Sequence, residues 1–550
     1  MRLASRTPGL RTPRLFLRPA RSTYASPSTP FAIRSYSKAL SSSSPSSLSS
    51  HSILQRDTRR IGNRLFSTTP SLKLKMSDLK TDLTAPNGKK ITLPTGLFIN
   101  NEFVKATSGQ KIASINPTNE EVICEVEAAS ADDVDKAVKA ARAALNHESW
   151  RDLSGSDKGA LMHKLADLVE AEKETLATIE TWDNGKPYES SIFDINEVTT
   201  TLRYYAGWAD KIHGHTIPTT PKKFAYTVRH PIGVCGQIIP WNFPLAMAAW
   251  KLGPALAGGN TLDCRRWFPP GVINILNGHG KDAGHAIAAH LDIDKVAFTG
   301  STATGKQIMK TASVNMKNIT LETGGKFPLL VFSDADLEQA AKWSQFGIFG
   351  NSGQICTSTS RVLVHESVYD KFVELFKEAI KTLNKVGDPF EEGTFQGPQV
   401  TKAQYDKILA YVDLAKSEGA TLAQGGVPFK GVGQGKGYFI EPTVFTNVKS
   451  NMTIYRGGDL RPTEEEAVEM ANDSTYGLAS AIFTQDIARA HRVADRIESG
   501  MCWINSSQDS DPRVPFGGVK QSGIGRELGE AGLAAYTSEK AIHVNLGTRM

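Results

Sequence analysis

Between residues 130 and 170, apolar side chains recur every three or four positions. Val134, Ala137, Val138, Ala141 and Leu145 share one face of a helix, and Leu161, Leu165, Leu168 and Val169 share one face of the next. Ser130 followed by Asp133 is the capping-box spacing that starts the first helix. From residue 233 the pattern changes. Residues 233–239 read as a buried strand, 247–256 as a helix, 271–276 as a strand and 283–291 as a helix. Residues 295–299 read as a strand, 305–311 as the start of a helix and 329–331 as a further strand. This alternation predicts α/β architecture with a doubly wound parallel sheet. Helical spacing over 337–349, 368–383 and 403–418, separated by short strands, predicts a second α/β domain. Residues 215–218 and 224–228 read as two short strands around Pro221-Lys222-Lys223. Such a ribbon either pairs with another subunit or closes as an ordinary edge hairpin.

Composition narrows this picture. The chain has 550 residues, enough for two or three domains with sizeable cores. The longest apolar stretch, 243–259, is interrupted by Lys251 and contains Pro244 and Pro254. It reads as a buried helix with its turns, so membrane insertion is not expected. Charge is uneven: residues 1–75 carry 11 Arg, 3 Lys and one acid, Asp57, a net +13 in a chain of net +6. A nucleic-acid-binding arm would be basic too. Here the cations are spread through Ser, Thr and Pro with Leu and Phe between them, which is the composition of a mitochondrial transit peptide. Arg64-Leu65-Phe66 before Ser67 resembles a processing site, giving a matrix address, and Met76 offers a second start for a cytosolic form. No nucleic-acid partner is expected of the remainder. Five cysteines without a CxxC pair suit a reducing compartment. His279, His285 and His290 lack metal-ligand spacing, and no metal is expected.

Two strand–glycine–helix junctions could bring free amides to a phosphate. They are Asn277-Gly278-His279-Gly280-Lys281-Asp282-Ala283 and Phe298-Thr299-Gly300-Ser301-Thr302-Ala303-Thr304-Gly305. Both also fit ordinary α/β turns. Cys124 and Cys235 sit in apolar strands as small hydrophobes, and Cys264 and Cys502 have no activating neighbourhood. Cys356 lies in Asn351-Ser352-Gly353-Gln354-Ile355-Cys356-Thr357-Ser358, flanks that offer hydrogen bonds and glycine flexibility rather than apolar cover. That context predicts an accessible thiol whose thiolate is stabilised by local amides, although a lone cysteine is more often structural. Glu322, before Gly324-Gly325, suits a mobile, partly buried general base; a solvated surface Glu is the plainer reading. Asn242, in Pro240-Trp241-Asn242-Phe243-Pro244, suits a fixed donor to an oxyanion or a turn cap.

Taken together, the ordered runs PWNFP (240–244), FTGSTATG (298–305), LETGGK (321–326), GQICTSTSR (353–361), YGLASAIFT (476–484) and PFGGVKQSGIGRELGEAGL (515–533) resemble the aldehyde dehydrogenase superfamily, closest to fungal NAD-dependent members. The resemblance implies a Rossmann-type nucleotide-binding domain over 76–210 and 231–324, an oligomerisation ribbon over 211–230, an α/β catalytic domain over 325–518 and a C-terminal return over 519–550. Residues 1–75 would be a disordered leader. The tail, with residues 540–545, is expected to pair with the ribbon of a neighbouring subunit, implying a dimer or tetramer. The implied chemistry is oxidation of an aldehyde to a carboxylic acid with NAD, NADP not being excluded. Cys356 would be the nucleophile, Asn242 and the Cys356 N–H would hold the oxyanion, hydride would pass to the nicotinamide, and Glu322 would activate the water that hydrolyses the thioester. Ile238, Pro240, Trp241, Gly278, Gly300, Ser301, Gly305, Leu321 and Gly324 would contact the cofactor. Acetaldehyde-like aliphatic aldehydes are the expected substrates.

Two segments of the family pattern are missing. Only residues 262–267 lie between Thr261 and Phe268, where on the order of 18 more residues belong, too few for a crossover helix. A Lys expected on the adenosine ribose is lost with them. After Ile454, residues 455–462 replace the acidic EEIFGP segment whose Glu would hold the nicotinamide ribose. Both losses lie on the cofactor side. They leave open a non-catalytic homologue, or one reduced to thiol esterase chemistry.

Overall fold

The computed structural model describes residues 79–261, 268–449, 452–454 and 463–550. The basic leader and both departures from the family pattern, with Cys264, lie outside the described residues. Helix α1 (Ala131–Asn146) begins as the capping box requires: Asp133 Oδ2 accepts from the Ser130 N–H at 3.0 Å and from its hydroxyl at 2.9 Å. Val134, Ala137, Val138 and Ala141 are buried along one face of α1, packed with Val234, Val296 and Phe298 from the neighbouring sheet. Burying a Val side chain contributes roughly 1.5–3 kcal/mol, so this stripe fixes the helix on the sheet.

That sheet contains three parallel strands, β1 (Cys235–Ile238), β2 (Lys295–Gly300) and β3 (Asn318–Thr323), with β2 in the middle. Between β1 and β2 runs α2 (Pro244–Ala257), started by Pro at its first turn. Between β2 and β3 runs α3 (Thr302–Ala312). A second four-stranded sheet is entirely parallel. It consists of β4 (Pro328–Val331), β5 (Arg361–Val364), β6 (Ala479–Phe483) and β7 (Met501–Ile504), in the order β5-β4-β6-β7. Helix α4 (Leu337–Phe349) crosses from β4 towards β5 and packs Ala340, Ala341 and Phe349 on this sheet. The chain then returns to the first sheet, where the two-residue strand β8 (Gly523–Ile524) pairs antiparallel with β3.

Residues 271–276 were expected as a strand, and they do not form one. Gly271 has φ +85, Val272 N–H bonds back to Pro269 O, and the Asn274 side chain donates to Ala137 O of α1. Pro269-Pro270-Gly271 turns the chain, and only Ile275 makes a bridge, to Phe98. The helix expected over 283–291 shrinks to His285–Ala289, preceded by a wide π turn at Gly280–Gly284.

The ribbon contradicts the expected exchange with a neighbour. The strand Thr537–Asn545 pairs antiparallel with Lys223–Pro231 of its own chain over nine rungs, and Thr216–Ile217 adds a third strand on the other side. Chain order makes this possible, because the turns after β8 carry the tail back beside residue 231, where Ile232 N–H reaches Tyr536 O. Among the described residues, no helix is long and apolar enough to cross a membrane.

Candidate active site

The carboxyl end of the first sheet faces the loop that carries Cys356 across one cleft of about 1240 Å³. Its walls include Pro240, Trp241 and Asn242 after β1, Gly300 and Ser301 after β2, Gly324 after β3, and Gly353–Cys356. Crevices outside the carboxyl ends of parallel strands are where such sheets bind ligands.

The Cys356 loop is held in an unusual backbone shape. Asn351, Ser352 and Gly353 have φ values of 46°, 57° and 76°, three left-handed residues in succession. Such strain persists only when surrounding contacts over-determine it. Here side chains do so. Asn351 Nδ2 donates to Asn242 O at 3.1 Å, Ser352 Oγ to Gly397 O at 2.9 Å, and Gln354 Oε1 accepts from Val400 N–H at 3.0 Å. On the far side, Gln508 Nε2 donates to Thr357 O at 2.6 Å. The polar residues around Cys356 thus act as struts.

The thiol itself departs from the expectation of an exposed, amide-stabilised thiolate. Cys356 is half-buried and packs against an apolar cluster containing Phe243, Trp250, Leu478 and Phe516. Burial pushes the thiol pKa up to about 12, and the Glu322 and Glu527 carboxylates add to the effect. The backbone amides of Cys356 and Thr357 oppose it without prevailing. Non-local packing supplies the apolar cover that the polar flanks conceal.

Asn242 projects its side chain towards the same loop, donating Nδ2 to Gln354 O at 2.9 Å. An amide nitrogen carries two N–H groups, so a second remains for an oxyanion. Trp241 O accepts from Asn184 Nδ2 at 2.7 Å, which fixes the backbone immediately before Asn242.

Glu322 is neither at the mobile turn nor at the surface. It lies within β3, paired with Thr299 on one side and Gly523 on the other. It is 3% exposed, and neither carboxylate oxygen has a protein partner. Burial raises its pKa well above the usual carboxylate range, and the nearby Glu527 carboxylate raises it further. Gly517 makes room for it: a Cβ there would stand 2.7 Å from Glu322 Oε1. The backbone is fixed, and any motion of the carboxyl belongs to its side-chain torsions.

The sequence showed Lys251 only as an interruption of an apolar stretch and gave Glu527 no role at the site. Lys251, fully buried in α2, reaches Glu527 Oε1 and Thr299 Oγ1, each at 2.6 Å. One ammonium therefore stands among two buried carboxylates, Glu322 and Glu527. The signal was a single charged residue in an apolar helix, which buried charges keep only with partners.

Not every expected cofactor contact gathers here. Gly278 is exposed and packs by Ala129 and Ala283, away from this cleft. Gly305 and Leu321 are buried beneath it, where a Cβ on Gly305 would meet Thr323 Cγ2 at 3.0 Å. Gly305 therefore serves close packing of α3 on the sheet. Ile238 is half-buried at the end of β1, in the core cluster rather than on the cleft wall. Gly300, Ser301 and Gly324 do line the cleft. Ser301 caps α3, its hydroxyl accepting from Thr304 N–H at 3.1 Å, and space around Gly324 is open for 4 Å where a Cβ would stand. A capped helix start beside an open glycine fits a pyrophosphate and the dinucleotide that carries it.

The profile of the aldehyde dehydrogenase family matches residues 103–266 and 264–542. The chain belongs to this family. The two matched stretches meet at 264–266, inside the first of the two departures noted above. The chain is 48% identical to an aldehyde dehydrogenase of Emericella nidulans over 86% of its length and 99% of the relative's. It is 46% identical to the mitochondrial aldehyde dehydrogenase of Homo sapiens over 88% of its length and 97% of that protein. Among solved structures, a point mutant of Bacillus cereus aldehyde dehydrogenase aligns at 43% identity with a TM-score of 0.78, covering 82% of this chain and 97% of that one. Betaine aldehyde dehydrogenase from Staphylococcus aureus in complex with NAD+ aligns at 37% identity with a TM-score of 0.79, covering 83% and 95%. The family fold is α/β, and its members' activity, aldehyde oxidation with a nicotinamide cofactor, is the activity of this chain.

Proposed function

We propose that Cys356 is the covalent nucleophile of this oxidation, with Asn242 and Glu322 as its partners. The observation that carries this reading is the convergence of Cys356, Asn242 and the Gly300-Ser301 junction on one cleft, with Glu322 close enough that its charge raises the Cys356 pKa. The aldehyde carbon bonds to the Cys356 sulfur as the thiol proton leaves to solvent in the open cleft. The new oxyanion is held by Asn242 Nδ2 and the Cys356 N–H. Trp241, Gly300, Ser301 and Gly324, with Pro240 beside them, would hold the nicotinamide cofactor, which would supply the oxidising power as hydride acceptor. Glu322 then takes a proton from water as it attacks the thioester, the carbon–sulfur bond breaks, the Cys356 sulfur takes back a proton, and the carboxylic acid leaves. A carboxyl with a raised pKa is matched to that transfer near neutral pH.

NAD is the cofactor proposed, and simple aliphatic aldehydes are the first substrates to try. The nucleotide-binding domain is assigned to 76–210 and 231–324, the ribbon to 211–230, the catalytic domain to 325–518 and the C-terminal return to 519–550. A homodimer or tetramer built on the ribbon, in the mitochondrial matrix, completes the proposal. The test is to express residues 76–550 and to measure NAD(P)H formation from acetaldehyde beside hydrolysis of an activated ester. Both activities are expected, and both should be lost in Cys356→Ala. Ester hydrolysis without NAD(P)H would favour the thiol esterase reading, whose support is that both departures from the family pattern fall on the cofactor side.

A further inference from the structure

Thr357, the residue after Cys356, is held at two points by one side chain. Its hydroxyl donates to Gln508 Oε1 at 2.5 Å, and Gln508 Nε2 donates back to its carbonyl oxygen at 2.6 Å. A hydroxyl and a carbonyl could each be satisfied separately, by any acceptor and any donor. One amide that meets both also fixes how Thr357 is turned about its Cα. Thr357 is 3% exposed, which keeps bulk water from either bond.

The backbone behind this clamp is strained. Gln508 lies in the loop after β7, where Asn505 and Gln508 are left-handed, at φ 57° and 61°. Asparagine adopts that backbone more readily than most residues, because its short side chain bonds locally; glutamine lacks that advantage. Neighbouring contacts hold the loop in shape. Asn505 Oδ1 accepts from the Thr484 N–H and its Nδ2 donates to Thr484 O, each at 3.0 Å, which ties the loop to the end of β6. The Trp503 indole N–H donates to Asp509 O at 2.7 Å. Strain maintained in this way, against the neighbour of the reacting residue, points to function rather than to loop closure alone.

The Thr357 N–H is one of two backbone amides that bond the Cys356 sulfur, the other being that of Cys356 itself. Its direction follows from how Thr357 is turned. We propose that Gln508 is a positioning residue, which by clamping Thr357 aims its N–H at the Cys356 sulfur and so sustains the thiolate that attacks the aldehyde. This rests on Cys356 being the nucleophile. The sulfur packs on apolar side chains, so a misdirected amide removes much of the support its charge has.

The test measures alkylation of nucleotide-free residues 76–550 by iodoacetamide, followed at the Cys356 peptide by mass spectrometry from about pH 7 to about pH 10. Beside it, kcat and KM are measured for acetaldehyde with NAD+. Gln508→Met keeps the length of the side chain and removes both bonds. Alkylation should slow by on the order of tenfold at each pH, a displacement of the profile by about one pH unit. The kcat should fall by a similar factor with KM little changed. Glu322 and Glu527, the carboxylates whose charges reach the sulfur, are the same in both proteins. Thr357→Val cuts the hydroxyl bond alone and should move both readings the same way by less. A Gln508→Met protein alkylated and turning over at wild-type rates overturns this inference alone, whatever its melting temperature, because a merely structural clamp moves stability only. Where Gln508→Met does not fold, wild-type rates in Thr357→Val overturn it equally. A Cys356→Ala protein that still forms NADH removes the reading it rests on as well.

Discussion

A buried carboxyl without partners sets the behaviour of this site at the scale of single residues. Glu322 binds its proton more tightly in the folded chain than in the unfolded one, because burial disfavours its charge. Between its unfolded and folded pKa values the folded state therefore carries more protons, and stability falls as pH rises through that window. Glu322→Gln removes the penalty. Its melting temperature relative to wild type should rise as the pH is raised above the ordinary carboxylate range, by scanning calorimetry. A difference independent of pH would mean that Glu322 ionises freely. The same cluster makes Lys251 costly to lose. Lys251→Met leaves the Glu527 carboxylate buried without its cation, and breaking such a pair costs about 3–5 kcal/mol, readable as a shift in denaturant midpoint. These groups were the least legible from sequence. Glu322 was visible as a candidate, but its neighbours Glu527 and Lys251 lie 205 positions after it and 71 before it, and only the fold brings their charges together.

At the scale of elements, the local signals were faithful wherever they were strong. The capping box at Ser130, the stripe of α1 and the span of α4 all follow the spacing of apolar positions. The spacing misled at 271–276, where an apolar run sits behind two prolines and a left-handed glycine. Val272 and Ile273 are buried, Ile275 is exposed, and the run makes a single bridge instead of a strand, since apolar character says little about backbone direction. The Cys356 loop misled in the opposite sense, because its polar residues turn inward as struts. Gly353, at φ +76, has no room for a side chain without strain, since a Cβ there would stand 3.1 Å from Ile348 O. Gly353→Ala should cost roughly 1–2 kcal/mol from the left-handed backbone and lower kcat more than it raises KM, since the loop positions the sulfur. Unchanged kcat with only a lower melting temperature would show that the loop does not set the geometry of attack.

At the scale of the whole molecule, the C-terminal strand ties the end of the chain to its middle. Thr537–Asn545 covers one side of Lys223–Pro231, and removing residues 537–550 would bare that ribbon strand along nine rungs. An exposed strand edge templates pairing with other chains. The truncated protein should run as heterogeneous aggregates in size-exclusion chromatography with light scattering, where the full 76–550 chain gives one discrete oligomer. A truncated chain of unchanged, uniform size would show that the strand has no part in assembly. Above all, Cys356 is proposed to carry the acyl group. The most direct measurement of this is peptide mass spectrometry of Glu322→Gln after incubation with acetaldehyde and NAD+, quenched in acid. With water activation impaired, the thioester should accumulate as an acetyl group on the peptide containing Cys356. Acetyl on a different residue, or none on Cys356 while wild type turns the same substrates over, would rule out Cys356 as the nucleophile.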